Sequence, residues 1–251
     1  MATNSKTGAT LALNSEYPTS DGKPMAETDW HRDLMIALIQ TLMHFYAKKR
    51  RVYVSGNLLI FYEQGNKRKH VSPDVFVVKG VPKKRRLNYL VWLEGKGPDF
   101  IIELTSRTTR KEDVVTKFQL YQNVLRVGEY FLFDPLGHYL DEQLKGYRLE
   151  NGLYVPIDAV NGRLPSEVVG LHLETDGLEL RLYNPVTDRW IPTPAEIAEA
   201  EREARQQAEG EVHRLQIEAE GRKREAEARH RAEAEVQRLK RELDELRRRL
   251  S

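Results

Sequence analysis

The chain has 251 residues, 40 Lys and Arg against 38 Asp and Glu, a formal net charge of +2, and no cysteine. Disulfides, thiolate metal sites and cysteine nucleophiles are thereby excluded. No apolar run approaches the ~20 residues that a bilayer-spanning helix needs, and the start of the chain lacks the basic and apolar regions of a secretory signal, so a cytoplasmic protein that makes no membrane contact is expected.

Residues 1–27 are rich in Ser, Thr, Gly and Pro and read as a flexible leader. The segment "TDWHRDLMIALIQTLMHFYAKKR" then carries apolar residues at helical spacing, from Leu34 through Leu38 and Leu42 to Phe45, with Thr28 or Asp29 as its cap. "VYVSGNLLIFYEQGNKRKHVSPDVFVVKG" reads as three strands broken by Ser-Gly-Asn and Gly-Asn turns. "DFIIELT" is nearly all apolar, as in a strand buried on both faces. "RKEDVVTKFQLYQNVL" returns to helical spacing through Val114, Val115, Phe118, Tyr121 and Leu125, and "EYFLFDP" is a strand ended by Asp-Pro. Strand, helix, strand in that order predicts a crossover unit in a mixed sheet. "GYRLENGLYVPI" and "GLHLETDGLELRLYNP" predict hairpins on Asn-Gly and Asp-Gly turns. The core is therefore α/β or α+β and closes near residue 193.

From residue 194 to 251 the composition is almost entirely Ala, Glu, Arg, Gln and Leu. Ala232, Val236, Leu239, Leu243, Leu246 and Leu250 alternate steps of four and three, a heptad seam. A long helix is expected whose last turns self-associate as a coiled coil, with a homodimer the economical stoichiometry. A single helix stabilised by its own charge pairs is the other reading of the same residues.

Charge is unevenly placed. Residues 28–133 hold 19 Lys and Arg against 10 Asp and Glu, whereas residues 134–193 hold 5 against 10. The runs at 48–51, 67–69 and 83–86 together suit a polyanion, though any one run alone reads first as a solvated surface.

The acidic residues offer two Pro-Asp pairs. Asp99 lies four residues before Glu103, which separates them by ~13 Å along one strand, too far to share one cation. Asp74 opens another strand; if the two strands are neighbours it meets Glu103 across ~5 Å of sheet. Two hard oxygen ligands with open positions suit Mg²⁺ or Mn²⁺. Asp113, Lys117 and Tyr121 are spaced i, i+4, i+8 and share a helix face. Asp113 and Lys117 form either an ordinary surface ion pair or, if that helix crosses the sheet edge, a cation aimed at Glu103. Ser106 and Thr109 sit where the strand enters the helix and either cap it or bind phosphate. His31 begins the first helix as a structural residue or a phosphate contact, and Glu63 is an auxiliary candidate.

The pieces "SPDVFVV", "PDFIIELTSRTTRKEDVVTKFQLY" and "GEYFLFDP" together resemble the Uma-two type family of endonucleases, over residues 30–183. That family is assigned to the PD-(D/E)XK restriction-endonuclease-like superfamily. Its pattern of Pro-Asp, Glu-x-x-Ser, Thr, Asp, Lys and Tyr is matched by Asp74, Glu103, Ser106, Thr109, Asp113, Lys117 and Tyr121. The resemblance implies a mixed sheet flanked by helices over residues 28–193. It also implies a metal ion held by Asp74, Glu103 and the backbone carbonyl of Leu104, with Lys117 on the helix in place of the usual strand lysine. The chain departs from the pattern at Arg126-Val127-Gly128, where the family has a glycine earlier in the turn. Two functions follow as expectations: a Mg²⁺- or Mn²⁺-dependent endonuclease acting on nucleic acid, foremost DNA, or a catalytically silent nucleic-acid-binding or scaffold protein working through its coiled coil.

Overall fold

The computed structural model describes residues 16–22 and 28–250. The chain divides into two compact units, one ending at Pro194 and one beginning at Ala195.

Helix α1 (Asp29–Phe45) is capped by Thr28, whose side chain accepts the His31 N–H at 3.1 Å. It buries Leu34, Met35, Leu38 and Leu42, the apolar stripe expected from its spacing. Strands β1 (Val52–Ser55), β2 (Ile60–Phe61), β3 (His70–Val71) and β4 (Val75–Lys79) follow. The middle two leave the main sheet: β1 pairs with β4, while β2 joins β3 and β5 (Tyr89–Leu90) in a small sheet of their own. A short helix, α2 (Val91–Glu94), precedes β6 (Phe100–Leu104). Neither β5 nor α2 has a clear periodicity, because each is too short to show one.

A helix, α3, covers residues 112–125 in three windings: π-helical over Glu112–Lys117, α-helical over Phe118–Leu120 and π-helical over Tyr121–Leu125. Strand β7 (Glu129–Phe133) then lies parallel to β6, as a crossover unit requires. Strands β8 (Leu144–Glu150) and β9 (Leu153–Pro156) complete a six-stranded sheet in the order β1-β4-β6-β7-β8-β9. Their hairpin turns on Asn151 and Gly152, both at positive φ, the backbone that favours Asn-Gly. Strands β10 (Leu164–Ser166), β11 (Leu171–Asp176), β12 (Glu179–Asn184) and β13 (Arg189–Trp190) form a four-stranded antiparallel meander.

Alternate residues of the central strands feed two cores. Val75, Val77, Phe100, Ile102 and Phe131 pack with α1 and the meander; Phe76, Val78, Ile101, Tyr130 and Leu132 pack with Tyr121 and Leu125 of α3 and with the small sheet. All of β6 and β7 is buried, in line with their unbroken apolar runs. Each such apolar side chain contributes about 1.5–3 kcal/mol.

Within the leader read from the sequence, residues 1–15 and 23–27 lie outside the described residues. Tyr17 is docked: its ring meets Phe61 edge-on at 4.8 Å and its hydroxyl accepts the Gly65 N–H at 2.9 Å. Helix α4 (Pro194–Leu250) starts on the last residue of the first unit, a proline, the residue preorganised for a first turn. Arg–Glu pairs such as Arg205–Glu209 and Arg229–Glu233, each 2.9 Å, line it. Val236, Leu239 and Leu243 are each about half exposed; the side chains of Leu246 and Leu250 lie outside the described residues. Among the described residues no helix is long and apolar enough to cross a membrane.

Candidate active site

The antiparallel register of β4 and β6 sets Val75 opposite Ile102. One step further, Asp74 faces Glu103, and each carboxylate accepts a backbone N–H from the opposite strand. The Leu104 N–H donates to Asp74 Oδ2 at 2.7 Å, and the Asp74 N–H donates to Glu103 Oε2 at 3.3 Å. Asp99 stands at the other end of β6. Its carboxylate accepts the Lys79 N–H at 2.7 Å and pairs with Lys96 at 2.6 Å, so it takes no part in this cluster.

The crossover from β6 to β7 brings the first turns of α3 over the same sheet face, because the helix must pack on the strands it connects. Asp113, Lys117 and Tyr121 all point inward. Lys117 Nζ lies 2.9 Å from Glu103 Oε2 and 2.9 Å from Asp113 Oδ1; the Tyr121 hydroxyl donates to Glu103 Oε1 at 2.5 Å. In a regular α-helix, residues four apart drift by about 40° per step. The wider π turns advance less per residue and offset that drift, so three successive fourth residues can reach one target. π turns of this kind recur at functional sites. The price is an inverted helix: Val114 and Val115 are 39% and 48% exposed, while Asp113 and Lys117 are buried. The surface ion pair left open by the spacing is thus a buried one.

Charge in the cluster is unbalanced. Three carboxylates, from Asp74, Glu103 and Asp113, share one ammonium. Burial drives Glu103 well above the ordinary glutamate range, opposed by Lys117 and reinforced by the charges of Asp74 and Asp113. Asp113 is raised for the same first reason, its burial. Burial would also raise Asp74, but the hydrogen bond from His31, the Lys117 charge and the Leu104 amide outweigh it and hold Asp74 below its usual value. Burial works against the Lys117 charge, yet the three carboxylates more than offset it and raise its pKa. Lys117 is therefore a fixed cation.

The remaining sequence candidates separate. His31, at the start of α1, has its Nε2 3.3 Å from Asp74 Oδ1, so it touches the site through a carboxylate. The Leu104 amide holds Asp74. Ser106 and Thr109 bond each other, hydroxyl to hydroxyl at 2.9 Å, and each accepts the other's N–H, a closed cap at the entry to α3. Glu63 sits on the exposed β2–β3 turn, bonded to Asn66. Tyr130 was not legible as a site residue. Its hydroxyl donates to the Asp113 carbonyl at 3.0 Å and anchors the π turn to β7; only the β6–β7 register, which sets Tyr130 beside Ile101, places it there. At the far end of α3, Arg126 takes the left-handed backbone (φ 53°) where the family pattern has a glycine, at a local cost of about 1–2 kcal/mol.

The family described as "Putative restriction endonuclease", Uma2, matches residues 12–182. The chain belongs to the Uma2 family. A solved structure, described as a putative nuclease belonging to DUF820 from Anabaena variabilis ATCC 29413, is similar at 19% identity with a TM-score of 0.44, covering 67% of this chain and 96% of that one. No curated protein matches.

In this Uma2 chain the carboxylate pair suits a divalent cation on two counts. The donors are hard oxygens, and with Asp113 also ionised the cluster is two charges negative after Lys117 is counted, which one divalent ion would balance. Each carboxylate also keeps acceptor capacity: of about four lone-pair sites, Asp74 uses two and Glu103 three. Among the described residues no group of three His, Asp or Glu side chains is gathered as ligands, so such an ion would take its other positions from backbone, water or substrate.

Proposed function

We propose that this chain hydrolyses phosphodiester bonds of nucleic acid, DNA foremost, as a metal-dependent endonuclease with Asp74, Glu103 and Lys117 as its working residues. The observation that carries this reading is that Glu103 faces Asp74 across the sheet while Lys117, arriving from a helix, reaches the same carboxylate at 2.9 Å. Mg²⁺ or Mn²⁺, when bound, would polarise a phosphoryl oxygen and lower the pKa of a coordinated water. Asp74, Glu103 and the Leu104 carbonyl would hold it. Lys117 stays protonated and supplies positive charge where the phosphate gains negative charge in the transition state. Tyr121 keeps Glu103 oriented, and Asp113 holds Lys117 from its other side.

The test is cleavage of DNA and of RNA with Mg²⁺ or Mn²⁺ by the wild type, Asp74→Ala and Lys117→Ala. A fall on the order of 10²-fold or more is expected for each variant; activity that survives both removes this site. Mg²⁺ should also raise the Tm of the wild type by mass action and leave that of Asp74→Ala unchanged.

The second reading is a silent nucleic-acid-binding or scaffold protein that dimerises through α4. It is favoured by Val236, Leu239 and Leu243, half exposed at heptad spacing. Metal-dependent binding without cleavage supports it. Light scattering on Leu239→Asp/Leu243→Asp tests the dimer: a mass unchanged from the wild type removes the seam.

A further inference from the structure

Two of the basic runs, far apart in sequence, form one surface. The Gly80 N–H donates to the Arg51 carbonyl at 2.7 Å, and the Arg51 guanidinium donates to the Gly80 carbonyl. Lys83 reaches back to the end of α1, where its Nζ donates to the Tyr46 carbonyl and, at 3.1 Å, to that of Ala47. All of 48–51 and 83–85 is exposed. Arg86 lies over the Tyr53 ring at 4.0 Å. Glu94 is the carboxylate paired with this surface, bound to Lys84 at 3.0 Å and Arg86 at 2.8 Å. A large positive excess remains.

Lys83, Lys84, Arg85 and Arg86 line a cleft of about 550 Å³ along β1, the edge strand of the large sheet, with Ile39 and Met43 of α1 as its other wall; the run 48–51 lies in the chain between two further lining residues, Tyr46 and Val52. At one end lies Gly56, packed so tightly on β4 that a Cβ there would come within 1.9 Å of the Asp74 carbonyl oxygen. The other end is marked by Lys79, paired with Val52. Lys79 is five steps along the strand from Asp74, or ~17 Å at ~3.4 Å each. A nucleic-acid strand carries one phosphate per ~3.4 Å of axis.

We infer that this cleft is the track of the nucleic-acid backbone, with the converged runs 48–51 and 83–86 contacting phosphates about five nucleotides from the one presented to Asp74. The inference rests on the nuclease reading for what happens at Asp74, but the binding surface is testable without it. The aromatic and apolar floor beside the cations accommodates sugars and bases, while the charges neutralise phosphates whatever the sequence.

The experiment is fluorescence anisotropy of the full chain with a labelled DNA duplex of about 20 base pairs, two helical turns, in EDTA so that no cleavage occurs. Three proteins are compared across a salt series: wild type, Lys49→Ala/Arg50→Ala/Arg85→Ala, and Lys67→Ala/Arg68→Ala/Lys69→Ala, whose three charges lie on the β2–β3 turn. Circular dichroism checks that each is folded. The first triple is expected to flatten the slope of log affinity against log salt by roughly 3, about 0.9 per lost phosphate contact, and to weaken binding about tenfold or more. The second should change the slope by less than about 1. An unchanged first triple, or equal losses in both, overturns the track. A protein that binds as expected yet never cleaves when metal is supplied keeps the track and loses the nuclease reading; one that cleaves with the first triple intact in affinity does the reverse.

Discussion

Glu103 and Glu129 are both fully buried, on the neighbouring parallel strands β6 and β7, and their surroundings differ in kind. Glu129 opens β7. It accepts from Arg148 Nε at 3.0 Å, from the Glu167 and Val168 amides at 2.9 and 3.3 Å, and from the Ser166 hydroxyl. One guanidinium meets its charge, and neutral donors from β10 and the turn after it fill the remaining lone pairs. Glu129 thus fastens the meander to the large sheet. Glu103, near the end of β6, instead competes with Asp113 for one lysine and faces a further carboxylate. A buried charge kept for the fold is matched and saturated; a buried charge in surplus is poised for something the fold alone does not contain.

Substituting each side chain separates the two cases most sharply. Glu129→Ala leaves Arg148 without its buried partner and several donors unmet, and should cost about 3–5 kcal/mol in urea unfolding. Glu103→Gln relieves the surplus and should stay within about 1 kcal/mol of the wild type in EDTA; an equal loss in both would erase the distinction. An effect between these two is expected from Tyr121→Phe, which deletes one donor to the buried Glu103 carboxyl while keeping the ring. It should cost about 1.5–3 kcal/mol and lower cleavage by loosening Glu103, with Ser166→Ala costing stability alone.

The last signal is the pH dependence in EDTA. The folded-state pKa of Glu103 is raised from 4.5, chiefly by burial. Above that value the folded chain holds a proton that the unfolded chain has lost, so stability declines as pH rises until Glu103 ionises in the fold, by at most about 1.4 kcal/mol per pH unit. Asp113, also raised, adds to the same decline. Asp74, lowered from 3.8, has the opposite sign: its contribution is present above that value and is lost as pH falls through its folded pKa. Glu103→Gln should flatten the decline. A wild-type profile with no decline above 4.5 would mean that the charge of Glu103 is matched in the fold.

Local patterns made much of this architecture legible. The stripe of α1, the unbroken apolar runs of β6 and β7, the Asn-Gly hairpin and the composition break before α4 follow from periodicities and turn preferences that neighbouring residues carry among themselves. The spacing of Asp113, Lys117 and Tyr121 was legible for the same reason. The pairing of β1 with β4 around an excluded β2–β3 excursion was not, nor were β5 and α2, since two-residue strands owe their form to partners rather than to propensity.

What the sequence by itself determined is the inventory: two carboxylates at strand ends, a lysine and a tyrosine at helical spacing, and basic runs in the same half of the chain. Only the tertiary structure decided that Asp74 stands across from Glu103, that Lys117 turns inward while Val114 and Val115 turn out, that His31 and Tyr130 join the cluster, and that two basic runs meet in one surface beside a cleft. Each of those is a contact between distant segments, set by strand register and by the crossover that seats α3, and no local period encodes it.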